Sequence, residues 1–334
     1  MYDQQNYFVP PQLSAFYIEC SEKRRIRNTA WAVAVPCYVF FIITSLLGVI
    51  LSLVGYRLGL GTEFLTDITS DPAVNQVLEI TLSIFLMTVP FIIAAKVAGY
   101  NISESGGFNK PKKGTALPHL LFGVGFCAFA NIAVSKAGEF FEQFGIDYSM
   151  PPNEYPQGVF GFLLVLISTA IVPGLLEEFA FRGIVLGLLR PYGDAFAIIA
   201  SSAVFGILHG NFEQMPFAFL VGLALGFIRV KSGSIAVCMA VHAANNLVAV
   251  ITSYAGGMSA LALNLVYTVY VLLALIAAVL GIVLLKYKGE FSFPEVRRPI
   301  AAKKVYLGFF FSPAMILFYC LFFTRAFIYV YYYF

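Results

Sequence analysis

The stretch Gly158-Val-Phe-Gly-Phe-Leu-Leu-Val-Leu-Ile-Ser-Thr-Ala-Ile-Val-Pro-Gly-Leu-Leu-Glu-Glu-Phe-Ala-Phe-Arg182 decides the architecture. It is uncharged from Gly158 to Leu176, and a helix of about 20 such residues spans the hydrocarbon core of a bilayer. Working outward, comparable runs place spans near 30–56, 77–97, 115–135, 158–190, 195–209, 214–230, 234–253, 262–285 and 305–330. The expected fold is all-α: a polytopic transmembrane helical bundle of about eight to nine spans. The fifth and sixth are short enough to need other helices around them. The chain divides into an N-terminal cytoplasmic segment 1–28, transmembrane helices 29–157, a central core 158–255 and C-terminal transmembrane helices 256–334.

Composition agrees with this reading. Hydrophobic residues make up 60% of the chain and charged residues 12%, about half the charge that keeps a soluble domain wet. A net charge of +3 is too small to suggest a nucleic-acid partner; the lipid bilayer is the expected surrounding. The five cysteines are scattered without CxxC spacing and read as small hydrophobes. The first apolar run follows Lys23-Arg24-Arg25-Ile26-Arg27 and is too long for a signal-peptide h-region, so it reads as a retained anchor.

With the nine spans alternating from an inside N-terminus, 17 of the 21 lysines and arginines fall inside. The acidic loops 62–79 and 139–154 fall outside. Basic loops mark the cytoplasmic side, which predicts a cytoplasmic N-terminus.

Ionisable groups inside spans are costly and mark functional sites by default. Glu177 and Glu178 diverge by about 100° on a helix. Arg182, four residues beyond Glu178, can pair with it and hold it ionised, leaving Glu177 to face elsewhere. Phe205-Gly-Ile-Leu-His209 lies in the fifth span, and His242-Ala-Ala-Asn245-Asn246 puts His242 and Asn246 on one face of the seventh. The third histidine, His119, sits near the inner start of its span and reads as interfacial. Measured from the inside ends of their spans, Glu177 and His209 lie roughly 20 Å deep, and His242 and Asn246 about 12 and 18 Å, at 1.5 Å per residue. The groups therefore converge on the membrane interior, where the active site is expected.

A carboxylate, two imidazoles and an amide in a low-dielectric pocket suit water activation: the carboxylate as general base, a histidine to bind the water, an amide for an oxyanion. The chain has no GxSxG elbow and no HExxH helix, which excludes the corresponding serine and thermolysin-type zinc sites.

Glu177-Glu178-x-x-x-Arg182, Phe205-x-x-x-His209 and His242-x-x-x-Asn246, in that order on separate spans, resemble the CPBP family of CAAX prenyl endopeptidases and bacteriocin-processing or immunity-related intramembrane proteases. The resemblance covers about residues 158–250. It implies an intramembrane endopeptidase, of metallo- or glutamate type, in which Glu177 activates water and His209 helps bind it. It further implies His242 and Asn246 on the oxyanion side and Glu178 with Arg182 in support. Glu177, His209 and His242 could serve as zinc ligands, since zinc accepts such N and O donors; a metal-free glutamate mechanism is equally open at this stage. The implied substrate is a hydrophobic or lipid-anchored peptide, and the implied location a bacterial plasma membrane. The alternative class is a non-catalytic transporter, immunity or scaffold protein; Gly222, Gly226 and Gly256-Gly257 are the features that would suit helices broken for transport.

Overall fold

The computed structural model describes residues 11–59, 70–147, 154–293 and 300–333. Arg297, Arg298, residues 62–69 and 148–153 of the two acidic loops, and Phe334 lie outside these.

Among the described residues every regular element is helical. Helix α1 runs unbroken from Pro11 to Arg57, so the basic cluster Lys23–Arg27 belongs to its N-terminal part. Helix α2 (Pro72–Leu86) starts where sequence chemistry says it should: Asp71 accepts from the N–H groups of Ala73 and Val74 at 2.7 and 3.1 Å, and Pro72 occupies the first turn. A short break leads to α3 (Val89–Val97), and α4 covers Ala116–Glu142. Helix α5, Gly158–Tyr192, is long and irregular, with π-helical segments at Leu166–Ile171 and Phe179–Val185. Then come α6 (Asp194–Leu208), α7 (Gln214–Ser232), α8 (Ile235–Met258) and α9 (Ala260–Tyr287). Ser234 and Ser259 cap the last two through their hydroxyls. Helices α10 (Ala302–Phe310) and α11 (Pro313–Tyr333) close the chain.

Among the described residues seven helical stretches, with α2 and α3 counting as one, are long and apolar enough to cross a bilayer, or eight if α10 and α11, bent by 49°, form one span. The expected fifth span is the 15-residue α6, about 22 Å long and too short to cross unaided. It is instead enclosed, forming a tight hairpin with α7 and packing on α5. Small residues permit that approach: a Cβ on Gly222 would meet the Ser202 Cβ at 2.9 Å, and one on Gly226 the Ile198 Cγ2 at 3.2 Å. These two glycines thus serve helix packing. Around α5 stand α2, α3, α6, α7 and α8, while α4 and α9 pair beyond α8, and α1 packs on α3, α10 and α11.

One end of the bundle gathers the basic segments. Lys304 pairs with Glu19 at 2.6 Å, the Arg25 guanidinium lies 5.6 Å from the Tyr192 ring, and Arg229 donates to the Ser105 carbonyl at 2.9 Å. Lys112 N–H donates to Ser232 O, and the Lys231 ammonium to Ser292 O. Segments that alternation assigns to one side of the membrane therefore touch one another.

Candidate active site

Helix α5 delivers three charges into the middle of the bundle. Glu178 is fully buried, and its Oε1 accepts from Arg182 Nη1 at 2.8 Å, the i,i+4 pair expected from the spacing. The same oxygen accepts from His242 Nδ1 on α8 at 2.8 Å. A carboxylate can only accept there, so Nδ1 carries a proton and points away from Glu177, towards which Nε2 is turned. Arg182, itself 1% exposed, also reaches the Gly222 carbonyl at 3.4 Å and covers the Phe205 ring at 4.4 Å. Removing either member of such a pair strands a charge in a low-dielectric interior.

Glu177 has a different environment. Its carboxylate side chain keeps 20% exposure where that of Glu178 has none, and its Oε2 stands 3.9 Å from His242 Nε2. The gap is too long for a hydrogen bond and suited to a shared water.

His209 caps α6. Its Nδ1 lies 2.9 Å from the Phe205 carbonyl, one turn back, so this ring also donates through Nδ1 and leaves Nε2 free. The Phe205 ring sits edge-on to both histidines, with centroids at 5.0 Å from His209 and 6.0 Å from His242. Phe205 thus separates and orients the two imidazoles while Arg182 packs on its face. Neighbouring Asn211 starts α7: it accepts from the Gln214 N–H at 2.8 Å and donates to the His209 carbonyl at 3.0 Å.

Asn246, one turn beyond His242, donates through Nδ2 to the Thr169 carbonyl at 3.0 Å. Residue 173, four places on, is proline and has no N–H to give that carbonyl. Asn245 Nδ2 donates to Asn246 Oδ1 at 3.1 Å, fixing which end of the Asn246 amide faces Thr169. One N–H of the Asn246 amide is therefore engaged and the second is available to a ligand.

Of the six expected residues, Glu178, Arg182 and His242 are in direct contact and Glu177 stands 3.9 Å from His242; His209 meets His242 only across the Phe205 ring, and Asn246 lies one turn from His242 on α8. His119 is not at an exposed interface: it is fully buried, with Nδ1 at 2.7 Å from the Thr115 carbonyl and its ring 6.0 Å from Phe227. Two supporting groups carry no motif. Tyr100 donates to the Gly183 carbonyl at 2.9 Å, within the second π segment and beside Arg182. The Gly222 carbonyl receives the other arm of Arg182. Pro173 is the visible signal for the freed Thr169 carbonyl; nothing local announces Tyr100.

The donor types, two imidazoles and a carboxylate, suit zinc. Among the described residues, however, no three His, Cys, Asp or Glu side chains form a group placed to hold a metal ion. What the geometry itself supplies is a carboxylate 3.9 Å from one imidazole nitrogen, a second imidazole across the Phe205 ring, and an amide one turn along α8.

Residues 159–248 match the family model of Rce1-like type II CAAX prenyl endopeptidases. The matched segment contains all six residues and most of the helices that carry them, α5 to α8. No curated protein and no solved structure matches the chain. Together with seven or eight apolar helices, the match supports an integral, multi-pass membrane protein and a CAAX-type intramembrane endopeptidase in general.

Proposed function

Proceeding from the likeness of residues 159–248 to Rce1-like type II CAAX prenyl endopeptidases, we propose that this chain hydrolyses a peptide bond of a hydrophobic or lipid-anchored peptide with a water activated by Glu177. The observation that carries the reading is the contrast between two adjacent glutamates: Glu178 is buried and engaged by Arg182 and His242, and Glu177 is open and 3.9 Å from a free imidazole nitrogen. A water that donates one O–H to Glu177 and the other to an imidazole Nε2 gives the first proton to Glu177 as its oxygen attacks the peptide carbonyl. The carbonyl π electrons move to oxygen, where the second Asn246 N–H donates to the oxyanion. Collapse breaks the C–N bond, and Glu177 returns the proton to the leaving amine. Glu178 and Arg182 touch no reacting atom; they hold His242 in the tautomer that accepts from water. With His242 Nδ1–H given to Glu178, a donor role for the ring would require a second proton on Nε2, so the oxyanion falls to Asn246.

The basic end of the bundle is the cytoplasmic end in this reading. Reporter fusions near residues 105 and 150 on opposite sides support it; the same side for both sinks it.

The test of the chemistry is mass spectrometry of cleavage of a farnesylated C-terminal peptide and of an unmodified hydrophobic peptide by protein in nanodiscs. Glu177→Gln, isosteric but unable to take the proton, should lower turnover by about 10²–10⁴ with folding unchanged. Turnover within a few-fold of the wild type removes Glu177 as the base. Zinc is a second reading on donor chemistry alone: Glu177, His209 and His242 would have to draw closer to hold it, and the ion would supply a Lewis acid for the water. It predicts that His209→Ala and His242→Ala each lower bound zinc by elemental analysis. Full turnover by a metal-free preparation disposes of it.

A further inference from the structure

A cavity of about 1130 Å³ opens between α1, α3 and the end of α5. None of the six site residues lines it. Helix α3 turns Val89, Ile93 and Val97 towards this cavity, whereas Phe91 on another face packs its ring 5.7 Å from Phe181 beneath the site. The cavity is larger than the roughly 300–1,000 Å³ of most small-molecule sites.

Its walls change character along their length. On α1, Val35, Val39 and Ile43 recur every fourth residue and face Val89, Ile93 and Val97, which recur the same way on α3. From Ala32 to Ile43 the α1 wall is apolar over eleven steps, about 16 Å, the depth of one leaflet's hydrocarbon. At the basic end the lining becomes Arg24, Arg25, Asn28 and Thr29. Arg25 has only a loose pair with Glu22 at 3.8 Å, and Arg24 has no ion pair among the described residues. Lys23, by contrast, is taken up by Glu19 at 2.8 Å. The mouth therefore presents only partly compensated positive charge and an amide donor above a slot one acyl chain deep.

We propose that this groove binds one anionic phospholipid of the leaflet at the basic end. Its phosphate sits among Arg24, Arg25 and Asn28, and its acyl chains lie along the valine and isoleucine stripes. A net-anionic headgroup fits better than a zwitterionic one, because the latter brings its own cation to two arginines that lack strong partners. Trp31 stands at the rim, half-exposed.

Trp31 is the only tryptophan of the chain, so its fluorescence reads the groove directly. The full-length protein is reconstituted with phospholipids brominated on their acyl chains, as phosphatidylglycerol or as phosphatidylcholine with the same chains. Lipid that merely surrounds the protein quenches equally from either headgroup. A bound anionic lipid predicts stronger quenching by phosphatidylglycerol, with relative affinity up about fivefold per contributing arginine, and loss of that preference in the double variant Arg24→Gln, Arg25→Gln. Equal quenching by the two lipids in the wild type, or an unchanged preference in a folded double variant, overturns the proposal. Native mass spectrometry of the wild type released from mixed bilayers tests the same point and needs no variant. One retained phosphatidylglycerol supports the site; retained phosphatidylcholine, or no retained lipid, rejects it.

Discussion

Helices α5 and α9 both cross the bundle as long apolar segments, and they solve the membrane problem in opposite ways. Helix α9, Ala260–Tyr287, is regular and starts from a serine cap. It buries Ala274, Ala277, Gly281 and Leu285 and turns Leu272, Leu275, Val279 and Val283 outward. Every backbone group in its interior is satisfied within the helix, as a lipid-facing segment requires. Helix α5 gives up that self-sufficiency. Two π segments and Pro173 break its ladder, and side chains from elsewhere complete it: Asn246 at the Thr169 carbonyl and Tyr100 at the Gly183 carbonyl. Irregular backbone at membrane depth is tolerated only where protein covers it, and π segments frequently mark functional sites. The three charges of α5 sit between those repairs or beside them. Breaking the ladder is what ties this helix to particular residues of α8 and to the loop after α3.

The largest effect separating the two helices should come from Arg182→Ala, which leaves Glu178 buried without its cation and costs about 3–5 kcal/mol. Thermal unfolding in a mild detergent reads this out, and normal stability would contradict the pairing. Asn246→Ala should cost about 10²–10³ in turnover as an oxyanion donor and separately destabilise by roughly 1–3 kcal/mol through the orphaned carbonyl. The two losses can be split. Adding Pro173→Ala restores an N–H that can bond the Thr169 carbonyl, so the double variant should regain stability and not turnover. Recovery of both would make Asn246 a backbone cap and nothing more. Tyr100→Phe should destabilise by about 1 kcal/mol, the worth of one hydrogen bond to a buried carbonyl; a neutral result would mean Gly183 finds another donor. On α9, Leu275→Ala at a lipid-facing position should shift stability by less than about 0.5 kcal/mol. A large loss there would place that face against another protein chain.

Much of the site is legible in the sequence because helix geometry is local. The i,i+4 spacing of Glu178 and Arg182, and of His242 and Asn246, follows from 3.6 residues per turn whatever surrounds the helix. Depth can also be counted from the inner ends of the spans, since basic residues flag those ends. The division of labour between the glutamates is half visible: pairing with Arg182 marks Glu178 as the anchor, but its second partner, His242, is 64 positions away. His119 shows what position along the chain leaves open. A histidine near a span end reads as interfacial, yet packing against Phe227 helps bury it completely.

By itself the sequence determined the membrane, the helices and their approximate ends, and the identity of the charged groups that meet inside. Apolar length, basic flanks and intramembrane charge act through solvation, which depends on composition along the chain. Only the tertiary structure decided which ring nitrogen of each imidazole is hydrogen-bonded and to what, that Asn246 already serves the Thr169 carbonyl, that α6 is a short enclosed helix, and that α1 and α3 leave a groove with a basic mouth. Those properties depend on pairs of atoms brought together from distant helices. In a chain so uniformly apolar, many packings bury the same area, and the choice among them falls to a few polar contacts and to the glycines that let helices approach.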